Sequence, residues 1–531
     1  MKRFLNAIVC LCLLCSLWGC GDGGFKSDMS FTYVLAQNIS SLDPQTASGT
    51  AAGAVLDSLF EGLCRMIDAE GKTQPGVAKS WDENNDSTVF TFHLRGNTKW
   101  SDGSPVVADD FVFGITRALT ASTNTPSVDD MFVLKNARAV YAGELGPESL
   151  GVTAKDDRTL VVELERSYPD FPALTAGIHY MPCSRSFFEQ SAGHYGLSSE
   201  YLITNGPFAF TNIYSWNTDY GKRSISLSRS EYYRGDHSVV PSDITYLIDY
   251  SSKIDTDPIA ALKEGAVDIL SLPEDTAKAA ADQGCGVMAL DDAVTGLLLN
   301  PQADSLKETS VREVFLKTLD RGDLLSRHTN TVQGTGEASG IMPDCVRWDG
   351  EPYYAEGEQF FQKQDDSIDL NALLRSLELE KLPSITVICP NDEDSVNVAN
   401  GMLVAWNSKL DNAFNIQPLS ESEFQSRISS GDYEAALYTL RAGGTTPYDV
   451  LKAFESSATP SLMQNTSYDS ALHSLNFDLS SYRNLESFLL DACIFYPIFR
   501  DNTYFVTNPN VRGITVSPDL GVNFSQARKK P

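Results

Sequence analysis

The run from Ser87 to Leu119 constrains the fold more than any other stretch of this chain. Phe90, Phe92 and Leu94 alternate with Val89, Thr91 and His93, the period-two pattern of a strand with one buried face. Ser101-Asp102-Gly103-Ser104-Pro105 follows; its glycine tolerates positive φ and its proline fixes its own, so the chain turns. Asp109 then stands where it can cap a helix through Leu119, on which Phe111, Ile115 and Ala118 share a face. The same mixture recurs. Strands are predicted at Thr159–Leu164, Ile225–Ser228, Ile385–Ile388 and Ala435–Leu440, and helices at Ser310–Leu319, Val396–Leu410, Glu421–Ser429 and Ser481–Cys493. Strands and helices interleaved in this way predict α/β layers. The 531 residues exceed the length at which one core stops growing, so two or three packed domains are expected.

Charge and motif content exclude several classes of chemistry. A formal net charge of −29 repels phosphate backbones and anionic headgroups, which argues against a nucleic-acid partner or polybasic docking. His93, His179, His194, His237, His328 and His473 are scattered, none at the i, i+4 spacing of a metal-binding helix. Gly71-Lys72-Thr73 has Met66 where a phosphate-binding loop needs its first glycine, so it reads as a turn. No G-x-S-x-G elbow occurs. Gly334-Thr335-Gly336 reads as a flexible connection, and the acid pairs Asp109-Asp110 and Asp156-Asp157 read as a helix start and a turn. The expectation is a protein that is not an enzyme and carries no cofactor or metal.

The N-terminus sets the expected compartment. Lys2 and Arg3 precede an apolar run from Phe4 to Trp18, which is too short to span a bilayer comfortably and suits a signal peptide over residues 1–19. The run ends at Leu17-Trp18-Gly19-Cys20. A small residue before a cysteine at this point resembles the lipobox of bacterial lipoproteins, although Trp18 departs from the small or branched residue usual there. The resemblance implies lipidation at Cys20 and a membrane-anchored protein of the cell envelope, on the periplasmic side. Cys64, Cys183, Cys285, Cys345, Cys389 and Cys493 remain in the mature chain. An oxidising compartment permits disulfides among them, and six cysteines allow fifteen pairings.

Ten segments occur in an order that resembles one family. The signature core is Pro75-Gly76-Val77-Ala78-Lys79-Ser80-Trp81, Phe90-Thr91-Phe92-His93-Leu94-Arg95, and Lys99-Trp100-Ser101-Asp102-Gly103-Ser104-Pro105 through Phe113. Upstream stand Ser41-Leu42-Asp43-Pro44 and Leu59-Phe60-Glu61-Gly62-Leu63; downstream stand Gly151–Leu160, Thr204-Asn205-Gly206-Pro207-Phe208, Tyr232-Tyr233, Gly265–Ile269, and Val311-Arg312 with Leu319-Asp320-Arg321. The chain is similar to the peptide-type extracellular solute-binding proteins of ABC importers, family 5, over nearly its whole mature length. That resemblance implies an α/β, two-lobed, hinged periplasmic-binding-protein fold (type II-like) with an additional small α/β domain. Lobe I is expected from residues 25–66, 182–292 and 495–531, the small domain from 67–181, and lobe II from 293–494. Most matched residues are expected to shape the fold, with Trp81 and Trp100 as buried aromatics.

The same resemblance implies an oligopeptide held between the lobes by main-chain hydrogen bonds and passed to an ABC permease with its ATPase subunits. Ser48, Gly49 and Thr50 would lend backbone groups from the first lobe. Phe113 would lie near the pocket, and Arg427 near a position that reaches a ligand carboxylate. Thr439, Leu440, Arg441, Ala442 and Gly443 form the second-lobe edge. Here the pattern fails. Oligopeptide binders of the family carry a tryptophan and, three residues on, an aspartate for the peptide α-ammonium, where this chain has Leu440 and Gly443; Ser422 replaces another lining aromatic. Either Asp449 or Glu434 takes over the ammonium, or the ligand has none at that point, as with a cell-wall (murein) peptide, a modified peptide or a non-peptide solute. Arg441 could face a ligand carboxylate or solvent. A surface lipoprotein that keeps the fold without transport is a further alternative.

Overall fold

The computed structural model describes residues 29–35, 38–66, 73–126, 128–236, 238–249, 254, 256–328, 336–361, 369–410, 414–458, 460–476, 478–518 and 521–530. The signal peptide, Cys20 and Gly334-Thr335 lie outside the described residues.

One long sheet runs through both lobes. From one edge its strands are Asn415–Leu419, Thr386–Pro390, Ala435–Arg441, Gly286–Leu299, Phe495–Thr507, Ile269–Leu272, Ser30–Val34, Asp243–Leu247, Ser224–Arg229 and Phe208–Ala209, with Trp216–Asn217 also paired to Ser224–Arg229. The two long strands in the middle, Gly286–Leu299 and Phe495–Thr507, are antiparallel, and each serves both lobes. At one end, Ile269–Leu272 pairs with Tyr504–Thr507. At the other, Ala293–Leu299 pairs with Ala435–Arg441. The pairing between the long strands is interrupted between Leu290 and Ala293, where Asp291 and Asp292 form a bulge opposite Asn502. A bulge bends and twists a strand locally, so the change of lobe coincides with one of the two interruptions of this ladder, the other falling between Thr295 and Gly296. Phe495, where the first lobe is expected to resume, is the first residue of its strand, and the pairing of that strand with Ile269–Leu272 begins at Tyr504.

Packing separates the two ends. In the second lobe, alternate residues of Ala435–Arg441 feed different cores, as period-two geometry requires. Ala436 and Leu440 join Val294, Leu298 and Ile388 on one face; Ala435 and Leu437 join Leu297, Leu299 and Val387 on the other. The small domain has its own antiparallel sheet, ordered Ala78–Glu83, Val89–Leu94, Thr159–Glu163, Val152–Asp156. Its core of Phe90, Phe92, Phe111 and Ile115 is continuous with Phe31, Leu56 and Phe60 of the first lobe. Burial of that apolar area makes small domain and first lobe one packed unit.

The matched segments do structural work. Trp100 is 1% exposed, meets Phe60 edge-on at 6.4 Å, and donates its indole N–H to Asp110 at 3.1 Å; Trp81 is only half-buried, against Phe92. The helix expected after Asp109 spans Ala108–Ala118. It is capped by Asp110, whose carboxylate accepts the Val107 N–H at 2.9 Å, while Asp109 is exposed. The helix begins two residues before the expected start, so the acid one position on is the one that reaches back. Asp102 accepts from the Ser104 amide and hydroxyl to close the turn at Gly103, whose φ is +87°. Glu61 receives the Tyr233 hydroxyl at 2.6 Å and Arg65 at 3.0 Å, and Asn205 pairs with its backbone. Asp43 and Arg117 form a buried ion pair at 2.6 Å. The cysteines Cys64, Cys183, Cys285, Cys345, Cys389 and Cys493 form no disulfides with one another.

Glu486, on the helix Leu479–Asp491, is completely buried in the second lobe. It accepts from the Tyr354 hydroxyl and from the Ile341 N–H at 3.2 Å. Burial pushes its pKa up to about 7. The native state therefore holds a proton that the unfolded chain releases near pH 4.3, and stability falls as pH rises through that window. Replacement Glu486→Gln removes the penalty: in chemical denaturation at pH 8 we expect the variant to gain about 2–3 kcal/mol relative to its own comparison with the parent at pH 4.

Candidate functional site

A cleft lies between the lobes at the bulge. It comprises two adjoining hollows, of about 620 Å³ and about 920 Å³. Ser48, Asp130, Arg441, Gly443, Asp449 and Lys452 line both, so first lobe, small domain and second lobe all contribute.

The first-lobe wall is the loop Ser48-Gly49-Thr50, exposed at the start of the helix Thr50–Leu59. Gly49 has φ +85° and no side chain to cap that helix, so the first helical amides there lack a side-chain acceptor. On the second-lobe wall, Thr439 hydrogen-bonds Thr295 at 2.7 Å and lies 3.5 Å from Asp501. Leu440 touches the cleft only as part of the strand; its side chain is 1% exposed, in the core. The Ala442 N–H donates to the Asp292 carbonyl at 2.8 Å, which ties the edge to the bulge. Gly443 is exposed, and a Cβ built there meets nothing within 4 Å. At Gly444 a Cβ would lie 2.3 Å from Asp449 Oδ2, so only glycine allows that carboxylate its approach.

Arg441 donates from Nη1 to Thr503 Oγ1 at 2.8 Å and to Asp292 Oδ1 at 3.3 Å. Its side chain is 48% exposed, and Nη2 and Nε have no partner among the described residues. Asp292 is buried and also accepts the Thr503 amide at 2.9 Å and hydroxyl at 2.8 Å; burial raises its pKa, opposed by Arg441 and Thr503. The link joins a second-lobe side chain to a first-lobe residue through the bulge itself. His179, in the cleft wall, donates its Nδ1–H to the Pro44 carbonyl at 3.0 Å, and burial pulls its pKa down to about 4.

The structure brings together Ser48, Gly49, Thr50, Thr439, Leu440, Arg441, Ala442 and Gly443. It does not bring Phe113 or Arg427. Phe113 packs edge-on against Phe188 at 5.6 Å under the Arg185 guanidinium. Arg427 donates to Asp432 O at 2.7 Å and to Gln417 at 3.2 Å; its helix offers Glu421, Phe424 and Gln425 to the cleft instead. Glu434 is also elsewhere, held by Ser305 at 2.6 Å and the Thr386 amide at 2.9 Å. Asp449 does line the cleft, but its carboxylate accepts from Thr446 and from Lys452.

Lys452 is the feature that sequence reasoning missed. Its ammonium lies 2.8 Å from Asp130 of the small domain and 3.2 Å from Asp449. Burial pulls its pKa down, but the two carboxylates outweigh that and leave it above the ordinary lysine value. The Asp130 contact is 322 residues distant in sequence, beyond any local pattern. Two further contacts link the small domain to the second lobe: the Asp349 N–H donates to Asp170 at 2.5 Å, and Arg166 donates to the Leu475 carbonyl. Among the described residues, no three of His, Cys, Asp and Glu converge as metal ligands, and no helix is long and apolar enough to cross a membrane.

Two lobes sharing two strands, a bulge between them and a hollow at the joint define a hinged solute-binding protein. Comparison with known proteins makes the class specific. Residues 72–461 match the profile of the bacterial extracellular solute-binding proteins, family 5, and the chain belongs to that family. The oligopeptide-binding protein OppA of Bacillus subtilis is 24% identical over 470 residues, covering 85% of this chain and 84% of that protein. The periplasmic murein peptide-binding protein MppA of Escherichia coli is 25% identical over 513 residues, covering 92% and 90%. Among solved structures, the pheromone receptor PrgZ superposes with a TM-score of 0.73 at 21% identity, over 95% of this chain and 100% of that one. The substrate-binding domain of an oligopeptide ABC transporter from Bacillus anthracis gives 0.70 at 23%, over 95% and 99%. The two-lobed α/β fold is thus that of family 5.

Asp292 is buried and holds Arg441 and Thr503 at the bulge, so its removal leaves the half-buried Thr503 amide and hydroxyl without their acceptor. Asp292→Ala is expected to lower the unfolding free energy by about 3 kcal/mol, read by urea denaturation.

Proposed function

We propose that this chain is the capture component of an ABC importer, tethered to the cell envelope by lipid at Cys20, which takes up a peptide-type solute between its lobes. The observation that carries the reading is the cleft: three parts of the molecule line it, and the two lobes are connected by two long strands whose pairing is broken by a bulge beside it. A solute that bridges the lobes favours the arrangement in which they meet. The Ser48–Thr50 backbone and the edge Thr439–Gly443 would contact the peptide skeleton, which gives affinity independent of side-chain identity. Arg441, with Nη2 and Nε unengaged, would face an anionic group of the ligand. Delivery would be to a membrane permease driven by separate ATPase subunits. The family membership and the oligopeptide-binding relatives support this reading.

A second reading, a receptor for cell-wall (murein) peptides, is favoured by Leu440 and Gly443 and by likeness to the murein peptide-binding protein. Mass spectrometry of what co-purifies from the native host separates the two. Short peptides of mixed sequence support general capture, one defined muropeptide supports the second, and no ligand together with no thermal stabilisation by any peptide pool overturns both. By mass action, a solute at 100 times its Kd should stabilise the protein by about 2.7 kcal/mol.

Gly443 supplies a sharper check, since a side chain there enters open space. Gly443→Asp should tighten binding of peptides with a free α-ammonium by about tenfold or more, measured by calorimetry, as a new charge-assisted hydrogen bond requires.

A further inference from the structure

The cleft already contains an ammonium. Lys452 Nζ sits between Asp130 and Asp449 at 2.8 Å and 3.2 Å, in the wall shared by the two hollows. Asp449 has little left to offer a ligand. Its Oδ2 accepts the Thr446 amide at 3.0 Å and hydroxyl at 2.7 Å, and its Oδ1 accepts Lys452. The other acids of the lining are engaged too: Asp292 with Arg441 and Thr503, Glu455 with His473 at 2.6 Å, and Glu421, on the rim, with Gln425 at 3.0 Å. The Asp130–Asp449 pair is the place where carboxylates of the small domain and the second lobe converge on one cation.

We propose that Lys452 is a specificity-determining residue: its ammonium occupies the site that a ligand α-ammonium would otherwise fill, so that the cleft gains little from a free amino terminus and admits N-blocked or N-extended peptides as readily. This deepens the peptide-capture reading and rests on it. A ligand ammonium entering beside Lys452 would meet a like charge at close range and an Asp449 carboxylate with both oxygens already in use, whereas an amide or acyl group there brings no such repulsion. Because Lys452 reaches from the second lobe to Asp130, it also performs without ligand the bridging between lobes that a ligand ammonium would perform. The side chain is thus a resident substitute for one end of the ligand.

The experiment is a coupling cycle between protein and ligand on the full mature chain, using calorimetry with trialanine and N-acetyl-trialanine. The parent protein is expected to bind the two within about threefold of each other. In Lys452→Met the free-amine form should bind at least about tenfold tighter than the acetylated form, because the acid pair is released. In the double variant Lys452→Met with Asp130→Asn that preference should shrink again. Thermal unfolding of each variant establishes that it is folded before titration. If the parent binds trialanine at least about tenfold more tightly than its acetylated form, or Lys452→Met shows no new preference, the role of Lys452 is overturned while peptide capture stands. If neither peptide binds either protein, capture of such peptides is itself overturned.

Discussion

Two strands that belong to both lobes are the constraint on which the rest of the molecule depends. Gly286–Leu299 and Phe495–Thr507 pair with each other along most of their length, and each end is fixed by its own neighbours and its own core. A sheet whose ends are both locked deforms most readily where pairing is interrupted, and the interruption beside the cleft is Asp291-Asp292 opposite Asn502. The bulge carries a cost, a buried carboxylate, and Asp292 offsets it with bonds to Thr503 and Arg441. Those bonds in turn place Arg441 at the mouth of the cleft. Hinge and site are one arrangement of residues.

The interfaces around the cleft differ in kind. Between small domain and first lobe the contact is a shared apolar core with the buried Asp43–Arg117 ion pair set in it, and separating the two would expose both to water. Between small domain and second lobe the described contacts are polar: Lys452 with Asp130, the Asp349 amide with Asp170, Arg166 with a carbonyl. Water can replace such partners at small net cost.

The sequence was most legible where a pattern is local. Strands at Thr159–Leu164 and Ala435–Leu440 and helices at Glu421–Ser429 and Ser481–Cys493 agree with the structure to within two residues at each end, because alternation and helical periodicity are short-range signals. The central strands were not read from periodicity. Ala293–Leu299 is almost continuously apolar, since both of its faces are covered, and such a run has no period to detect. Site residues divided in the same way. The edge Thr439–Gly443 follows directly from its strand, whereas Arg427 depends on helical register, in which one residue turns a side chain by about 100°. Asp130 and Lys452 meet only through the fold, so no spacing rule could pair them.

The order of strands has a consequence for how the molecule is made. Ser30–Val34, the first strand of the chain, lies between Asp243–Leu247 and Ile269–Leu272, and the latter is completed by Tyr504–Thr507 near the far end. The first lobe cannot finish its sheet until almost the last residue is available. Such distant pairing is slow to form because the intervening loop must be closed first.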